Sequence, residues 1–225
     1  MINNKDIELV SNKLEFWNSL TSLEQKQIIS RSQSLPYLKG KSVYGGLDDC
    51  RGLIIVKKGQ LRTYILSENG KEVTLYRLFK DDICVMSASC ALNNMNFDLY
   101  IEAEKDSEII LIPTDVYSQI NQKNIEVQKF TNSVTLTRFS DVMWIMEQIL
   151  FMSFDKRLAM FLLEQSSIEN SDTIYMTHED IAKHMGSARE VVSRMLKYFQ
   201  NEGFVRTERG SIILTNRKKL QSITF

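Results

Sequence analysis

No stretch of the 225 residues approaches the roughly 20 consecutive apolar side chains that a membrane-spanning helix needs. The first ten residues, MINNKDIELV, hold no basic cluster and no continuous apolar segment, so they do not form a secretory signal. A cytoplasmic protein with no membrane partner is the expectation. Cysteine is scarce and odd in number: Cys50, Cys84 and Cys90. In a chain without an export signal that argues against a disulfide framework. The spacing of Cys84 and Cys90 is not a zinc signature either. Histidine is scarcer still. His178 and His184 stand six residues apart and do not share a helix face, so no metal site follows from them, and both are expected at the surface. Residues 1–176 contain no histidine at all, which argues against a cupin-like metal enzyme. No catalytic site and no cofactor are expected.

Net charge is lacking too, since 28 Lys and Arg balance 28 Asp and Glu. The balance alone would argue against a nucleic-acid partner; its distribution argues for one. From Thr177 onward nine basic residues stand against five acidic ones, which gives that segment +4 and leaves −4 for the rest. Apolar content is ordinary, at 43% hydrophobic and 25% charged, and the chain is long enough to bury two modest cores.

Along the chain, residues 5–33 space Leu14, Trp17, Leu20, Leu23, Ile28 and Ile29 as one or two amphipathic helices, with Thr21 or Ser22 as an N-cap. From Leu35 to Pro113 the pattern changes to short β-rich segments, among them GLIIVKKGQLRTYIL. Asn69-Gly70 before KEVTLYRLF is a strong hairpin signal. Residues 114–151 contain neither Pro nor Gly and read as helix, with Thr114 and Asp115 as capping-type residues. Residues 139–152 are apolar on nearly every face, so the helix needs burial on more than one side. One side suits the chain's own β domain and the other the same helix of a second subunit; the alternative is an internal helix of a monomeric core. Ser153 or Asp155 caps a further helix after a hinge, and IYM at 174–176 reads as a short strand. The expected fold class is α+β: an antiparallel β-roll (jelly roll) with flanking helices over residues 1–113, a long dimerisation helix over 114–152, and a winged helix-turn-helix over 153–225.

The stretch THEDIAKHMGSAREVVSRMLKYFQ, Thr177–Gln200, carries the chemistry. Ile181, Ala182 and Met185 give a first helix its inward face, with Thr177 and Asp180 as a capping pair and Gly186 as the turn. Ser187 and Glu190 form an S-x-x-E capping box for a second helix, in which Val192, Met195, Leu196 and Phe199 point inward. The opposite face offers Arg189, Glu190, Ser193, Arg194 and Lys197. Arginine bonds guanine O6 and N7 bidentately, and a carboxylate accepts from cytosine N4. Glu190 is suited to either role, cap or base contact, and Lys197 to phosphate. After Gly203, FVRT and SIIL flank a wing whose Arg206 and Arg209 can reach backbone phosphate. The candidate DNA-contacting set is Thr177, Ser187, Arg189, Glu190, Ser193, Arg194, Lys197, Arg206 and Arg209.

On these residues, HEDIAKHMGSAREVVSRMLKYFQNEGFV resembles the C-terminal domain of the Crp/Fnr family of bacterial transcription regulators, in which a Gly-x-[Ser/Thr]-Arg-Glu turn opens the recognition helix. The order of β-roll, long helix, hinge and winged helix-turn-helix matches as well. The resemblance covers nearly the whole chain and is specific in its last third. It implies a homodimer on palindromic double-stranded DNA with TGA-type half-sites, contact with RNA polymerase, and base reading by Arg189, Glu190, Ser193 and Arg194. Ala188 departs from the Ser or Thr commoner there, which removes a phosphate contact.

The resemblance also identifies what the β-roll lacks. Cyclic-nucleotide-binding members carry a Gly-Glu pair and an Arg-[Ser/Thr] pair; here Val85 and Met86 replace the first, and Asn96 to Asp98 cover the second. No Lys, Arg or Gly occurs from Ile83 to Phe97, so a buried phosphate would have neither a cation nor a glycine-lined cradle. No cysteine precedes Cys50 to hold an iron–sulfur cluster, and the histidine that would hold haem is missing. An unidentified small-molecule or redox effector is expected instead. Its candidate residues are Cys84, Val85, Met86, Cys90, Met95 and Phe130. Val85, Met86, Met95 and Phe130 suit an apolar pocket for an uncharged ligand, and Cys84 and Cys90 a redox or thiol-reactive pair or soft metal ligands, against the plain alternative that both cysteines are small buried hydrophobes. A second function class is a ligand-sensing β-roll that acts through protein contacts without specific DNA.

Overall fold

The computed structural model describes residues 2–45, 51–86 and 98–224. The chain divides into two compact units, Met1–Ile65 with Leu75–Val142, and Leu66–Thr74 with Met143–Phe225. Among the described residues no helix is long and apolar enough to cross a membrane.

The first unit holds two four-stranded sheets with antiparallel pairing. One runs β1 (Gln33–Tyr37), β8 (Ser107–Pro113), β3 (Gly52–Lys58), β6 (Ile83–Cys84); the other runs β2 (Ser42–Gly45), β7 (Tyr100–Ala103), β4 (Gln60–Leu66), β5 (Glu72–Phe79). The apolar run GLIIV is the centre of the first sheet, and its period of two sorts it between two cores. Leu53 and Ile55 join Ile112 and Ile110, their β8 partners, in a core against the helices. Ile54 and Val56 turn the other way, with Ile109, into the core shared with the second sheet. Gly52 is required at the head of β3: its φ is +140°, and a Cβ there would fall 1.9 Å from the Ile112 carbonyl oxygen. The Asn69-Gly70 turn forms as expected, with Gly70 at φ +75° donating its amide to the Ser67 carbonyl at 2.9 Å.

The helical layer begins with α1 (Asn4–Lys13), a 3₁₀ turn at Trp17–Ser19 and α2 (Ser22–Arg31). Thr21 is the α2 cap: its Oγ1 accepts from the Glu24 amide, and Glu24 accepts the Thr21 amide at 2.8 Å. The 114–151 segment corrects the expectation of one helix. It is α3 (Thr114–Lys123) followed by α4 (Ile125–Phe151), and the N-cap position of α3 is Pro113, which has no side-chain cap bond, with Thr114 as the first helical residue. Asn124, in extended backbone, makes the break. Its amide closes α3 on the Ile120 carbonyl, its Oδ1 accepts the Glu126 amide at 2.9 Å, and its Nδ2 donates to the Ser19 carbonyl at 3.2 Å. An Asn side chain that bonds the backbone locally competes with helix continuation more strongly than the absence of Pro and Gly supports it.

Helix α4 buries Val127, Phe130 and Thr131 near its start. Farther on, Leu136, Phe139, Met143, Met146 and Leu150 are each at least 44% exposed. Their spacings alternate three and four, the heptad spacing of apolar positions.

The second unit contains α5 (Phe154–Glu169), β9 (Thr173–Ile174), α6 (His178–Met185), α7 (Arg189–Asn201), β10 (Val205–Glu208), β11 (Ser211–Leu214) and α8 (Arg217–Ile223). Of the two candidate caps for α5, Ser153 holds the position, without a side-chain bond. The three strands pair in the order β10-β11-β9. Leu158 and Leu162 of α5, Ile181 of α6, Val192, Leu196 and Phe199 of α7, and Ile212 of β11 are fully buried together. That single core fixes α7 by one face and leaves its other face to solvent.

Candidate nucleic-acid interface

Helix α6 starts on a complete capping box. Thr177 Oγ1 accepts the Asp180 amide at 3.1 Å, and Asp180 accepts the Thr177 amide at 2.9 Å. Burial pushes the Asp180 pKa up, but the Thr177 hydrogen bonds and the charges of His184 and Lys183 outweigh it and hold the carboxyl below its ordinary value. The helix ends at Gly186 in the left-handed region, φ +61°. There the Ser187 amide bonds the Ala182 carbonyl at 3.0 Å. Ser187 is thereby part of the closing turn of α6.

This overturns the expected Ser187–Glu190 capping box. The N-cap of α7 is Ala188, which has no side-chain acceptor, and no side chain caps the helix. Glu190 is therefore released from capping and stands exposed with Arg189, Arg194 and Lys197. Ser193 lies on the same face and is half-buried. The inward set is as expected: Val192, Leu196 and Phe199 are fully buried and Met195 partly so.

The wing brings further groups to this face. A recess of about 440 Å³ is lined by Thr177, His178, Arg189, Glu208, Arg209 and neighbouring residues, so the α6 cap, the first residue of α7 and the β10–β11 turn meet around one space. Arg206 does not line it; its Nε lies 3.1 Å from Glu208 Oε1, both side chains exposed.

Both histidines correct the surface expectation. His184 is 9% exposed, with its ring against Phe161 at 5.3 Å between centroids. His178 is half-buried, and its Nδ1 lies 2.8 Å from Ser193 Oγ. Burial, and after it the Arg189 charge, lower the His178 pKa below its ordinary 6.5. A pair fifteen residues apart, on two helices, leaves no local pattern in the sequence.

In the first unit an apolar cavity of about 470 Å³ lies between the second sheet and α4, lined by Ile65, Leu75, Tyr76, Met86, Leu99, Thr135, Arg138, Phe139 and Val142. Of the expected effector residues Met86 is in this lining. Cys84 and Val85 are fully buried in the two cores, and Phe130 packs edge-on against Phe16 at 5.1 Å. Cys90 and Met95 lie outside the described residues. The group that sequence reasoning missed is Arg138, whose guanidinium stacks on the Tyr76 ring at 4.9 Å and pairs with Asp141 at 3.0 Å. Burial pushes the Tyr76 hydroxyl well above the usual phenol value.

Comparison with known proteins gives a consistent result. Residues 156–223 match the Crp-like helix-turn-helix domain, and residues 35–124 match the cyclic nucleotide-binding domain. A solved structure of a putative transcriptional regulator of the Crp/Fnr family from Eubacterium rectale ATCC 33656 is 47% identical. It superposes with a TM-score of 0.92 over 95% of this chain and 99% of that one. The regulatory protein HlyX of Actinobacillus pleuropneumoniae is 27% identical, covering 89% of this chain and 83% of its own. The fumarate and nitrate reduction regulatory protein of Vibrio cholerae is 24% identical, with 88% and 80% covered.

Proposed function

Because the chain belongs to the Crp/Fnr family of transcriptional regulators, we propose that it binds a palindromic DNA site as a homodimer, with one α7 in each of two major grooves. That it is a DNA-binding regulator and not an enzyme accords with the relatives. The observation that carries the finer reading is the amphipathic division of α7. One face is locked into the core, and the other presents Arg189, Glu190, Ser193, Arg194 and Lys197. The N-terminal half of that face reads bases, Lys197 meets phosphate a turn later, and Arg209 supplies a second cation from the wing. Thr177, the cap of α6, and Ser187, in the turn that closes α6 ahead of α7, orient the elements, and Thr177 lines the recess beside Arg189. RNA polymerase is the partner through which such a dimer acts on transcription.

The α4 seam supports the dimer: five large apolar side chains in heptad spacing, all exposed, suit a second copy of the same helix. The gating signal we propose is a small, largely apolar effector in the 470 Å³ cavity, with a hydrogen-bonding or weakly anionic group near Arg138 and Tyr76. A cyclic nucleotide fits poorly. Among the described lining residues the one charged group, Arg138, is already balanced by Asp141, and no cation occurs in the sequence from Ile83 to Phe97. A thiol switch at Cys84 is disfavoured by its complete burial.

The test is operator selection from random duplexes, followed by binding to the selected and to unrelated DNA. Arg189→Ala and Arg194→Ala each remove about 1–3 kcal/mol of specific binding per half-site, while non-specific binding falls far less. Equal specific binding by wild type and both variants overturns the assignment.

A further inference from the structure

The hydrogen bond between His178 and Ser193 has a consequence for base recognition. A serine hydroxyl carries one proton and two lone pairs and rotates to suit its neighbour, so alone it accepts or donates with equal ease and discriminates weakly. Ser193 is not alone. Its Oγ lies 2.8 Å from Nδ1 of His178, the first residue of α6, and both side chains are half-buried. The imidazole is in turn surrounded: Arg189 of α7, Glu179 of α6, and Glu208 and Arg209 of the wing turn line the same recess. Burial and the neighbouring Arg189 disfavour its charged form, so near neutral pH one ring nitrogen bears a proton and the other is an acceptor.

We propose that His178 is a specificity-determining residue: its bare Nδ1 accepts the Ser193 hydroxyl proton and leaves Ser193 with lone pairs only, a dedicated acceptor for the exocyclic amino group of adenine or cytosine. The inference rests on the placement of Ser193 at the base edges. With its proton committed to His178, Ser193 no longer bonds guanine O6, thymine O4 or purine N7, which are all acceptors. The opposite tautomer, with a proton on Nδ1, would occupy one Ser193 lone pair and free its proton, so the hydroxyl would again donate or accept and the preference would be lost. Fixing that choice from α6 lets a two-way side chain read one kind of group.

The experiment uses the full chain and its selected operator, with every half-site position tested in amino-deleted form, purine for adenine or 2-pyrimidinone for cytosine, and in 7-deazapurine form. Ser193→Ala identifies the Ser193-dependent position. At that position wild type is expected to lose about 3- to 10-fold in affinity on amino deletion and to ignore 7-deaza substitution. His178→Phe, which keeps a ring but no acceptor, loses that sensitivity there and keeps the discrimination due to Arg189 and Arg194. His178→Asn, whose amide oxygen can take the same proton, retains it. Uniform weakening at every position by His178→Phe, or unchanged sensitivity, overturns the proposal. If Ser193→Ala alters no position, the placement of Ser193 fails first and the proposal with it. A readout free of substitutions at position 178 is the ring-nitrogen NMR of the DNA complex. The chain has two histidines, so a His184 variant assigns both. His178 Nδ1 is expected in the unprotonated, hydrogen-bonded range, and a protonated Nδ1 sinks the assignment.

Discussion

Asp180 and His178 sit two residues apart on α6, yet they titrate for opposite reasons. Asp180 is held below the ordinary carboxylate value of 3.8 because the hydrogen bonds of Thr177 and nearby positive charge outweigh its burial. Its contribution to stability is therefore fully present above pH 3.8 and is lost as the pH falls through the lowered folded value. His178 is depressed below 6.5 by burial first and Arg189 second, so its contribution is present above pH 6.5 and fades as the pH falls through the folded value. Urea midpoints measured from pH 7 downward should show both windows, the upper one flattened in His178→Asn and the lower one in Asp180→Asn. Thr177→Ala, which breaks the capping box at neutral pH, should cost about 1 kcal/mol in the same assay. At this scale the sequence shows the Thr177 cap plainly, because a capping box is local. It hides the His178–Ser193 pair and the Arg138–Tyr76 stack, because each partner comes from a distant element.

Element boundaries turn on where backbone groups are satisfied. The inward face of α7 is readable as an i, i+3, i+4, i+7 pattern, and the structure places Val192, Leu196 and Phe199 in the core as that spacing requires. The start of α7 is not readable in that way. The Ser187 amide is taken by the Ala182 carbonyl in the closing turn of α6, so the helix begins one residue later than the S-x-x-E pattern suggests. Asn124 similarly interrupts a segment whose composition argues for one continuous helix. Phe199→Ala, which empties a fully buried position facing Phe204, should destabilise the protein by about 3–5 kcal/mol in urea unfolding. On α4, Met146→Glu sets like charges against each other across the proposed seam. Light scattering should then report a monomer, with loss of tight operator binding, and a dimer of unchanged mass would locate the interface elsewhere.

For the molecule as a whole, the distribution of charge matters more than its total. The +4 segment from Thr177 onward predicts operator affinity that falls steeply with salt, and Lys197→Ala, which removes one phosphate contact in each half of the proposed dimer, should reduce the log–log slope by about 1.8 while weakening all sequences alike. Cyclic AMP should leave operator affinity unchanged. The sheet order and the cavity beside α4 depend on pairings between strands far apart in the chain, so the β-roll is legible as a class from its short strands, while its ligand chemistry is not. In the proposed dimer the α4 seam would be nearly uniform in its chemistry. Leu136, Phe139, Met143, Met146 and Leu150 include no buried Asn or Lys of the kind that fixes a coiled coil's partner, and the flanking Ser140, Val142, Glu147 and Ile149 bring a single charge. Partner choice is thus not encoded in the seam. A cell holding two such regulators would be exposed to mixed pairs, each bridging two unlike half-sites and addressing promoters that neither parent dimer occupies.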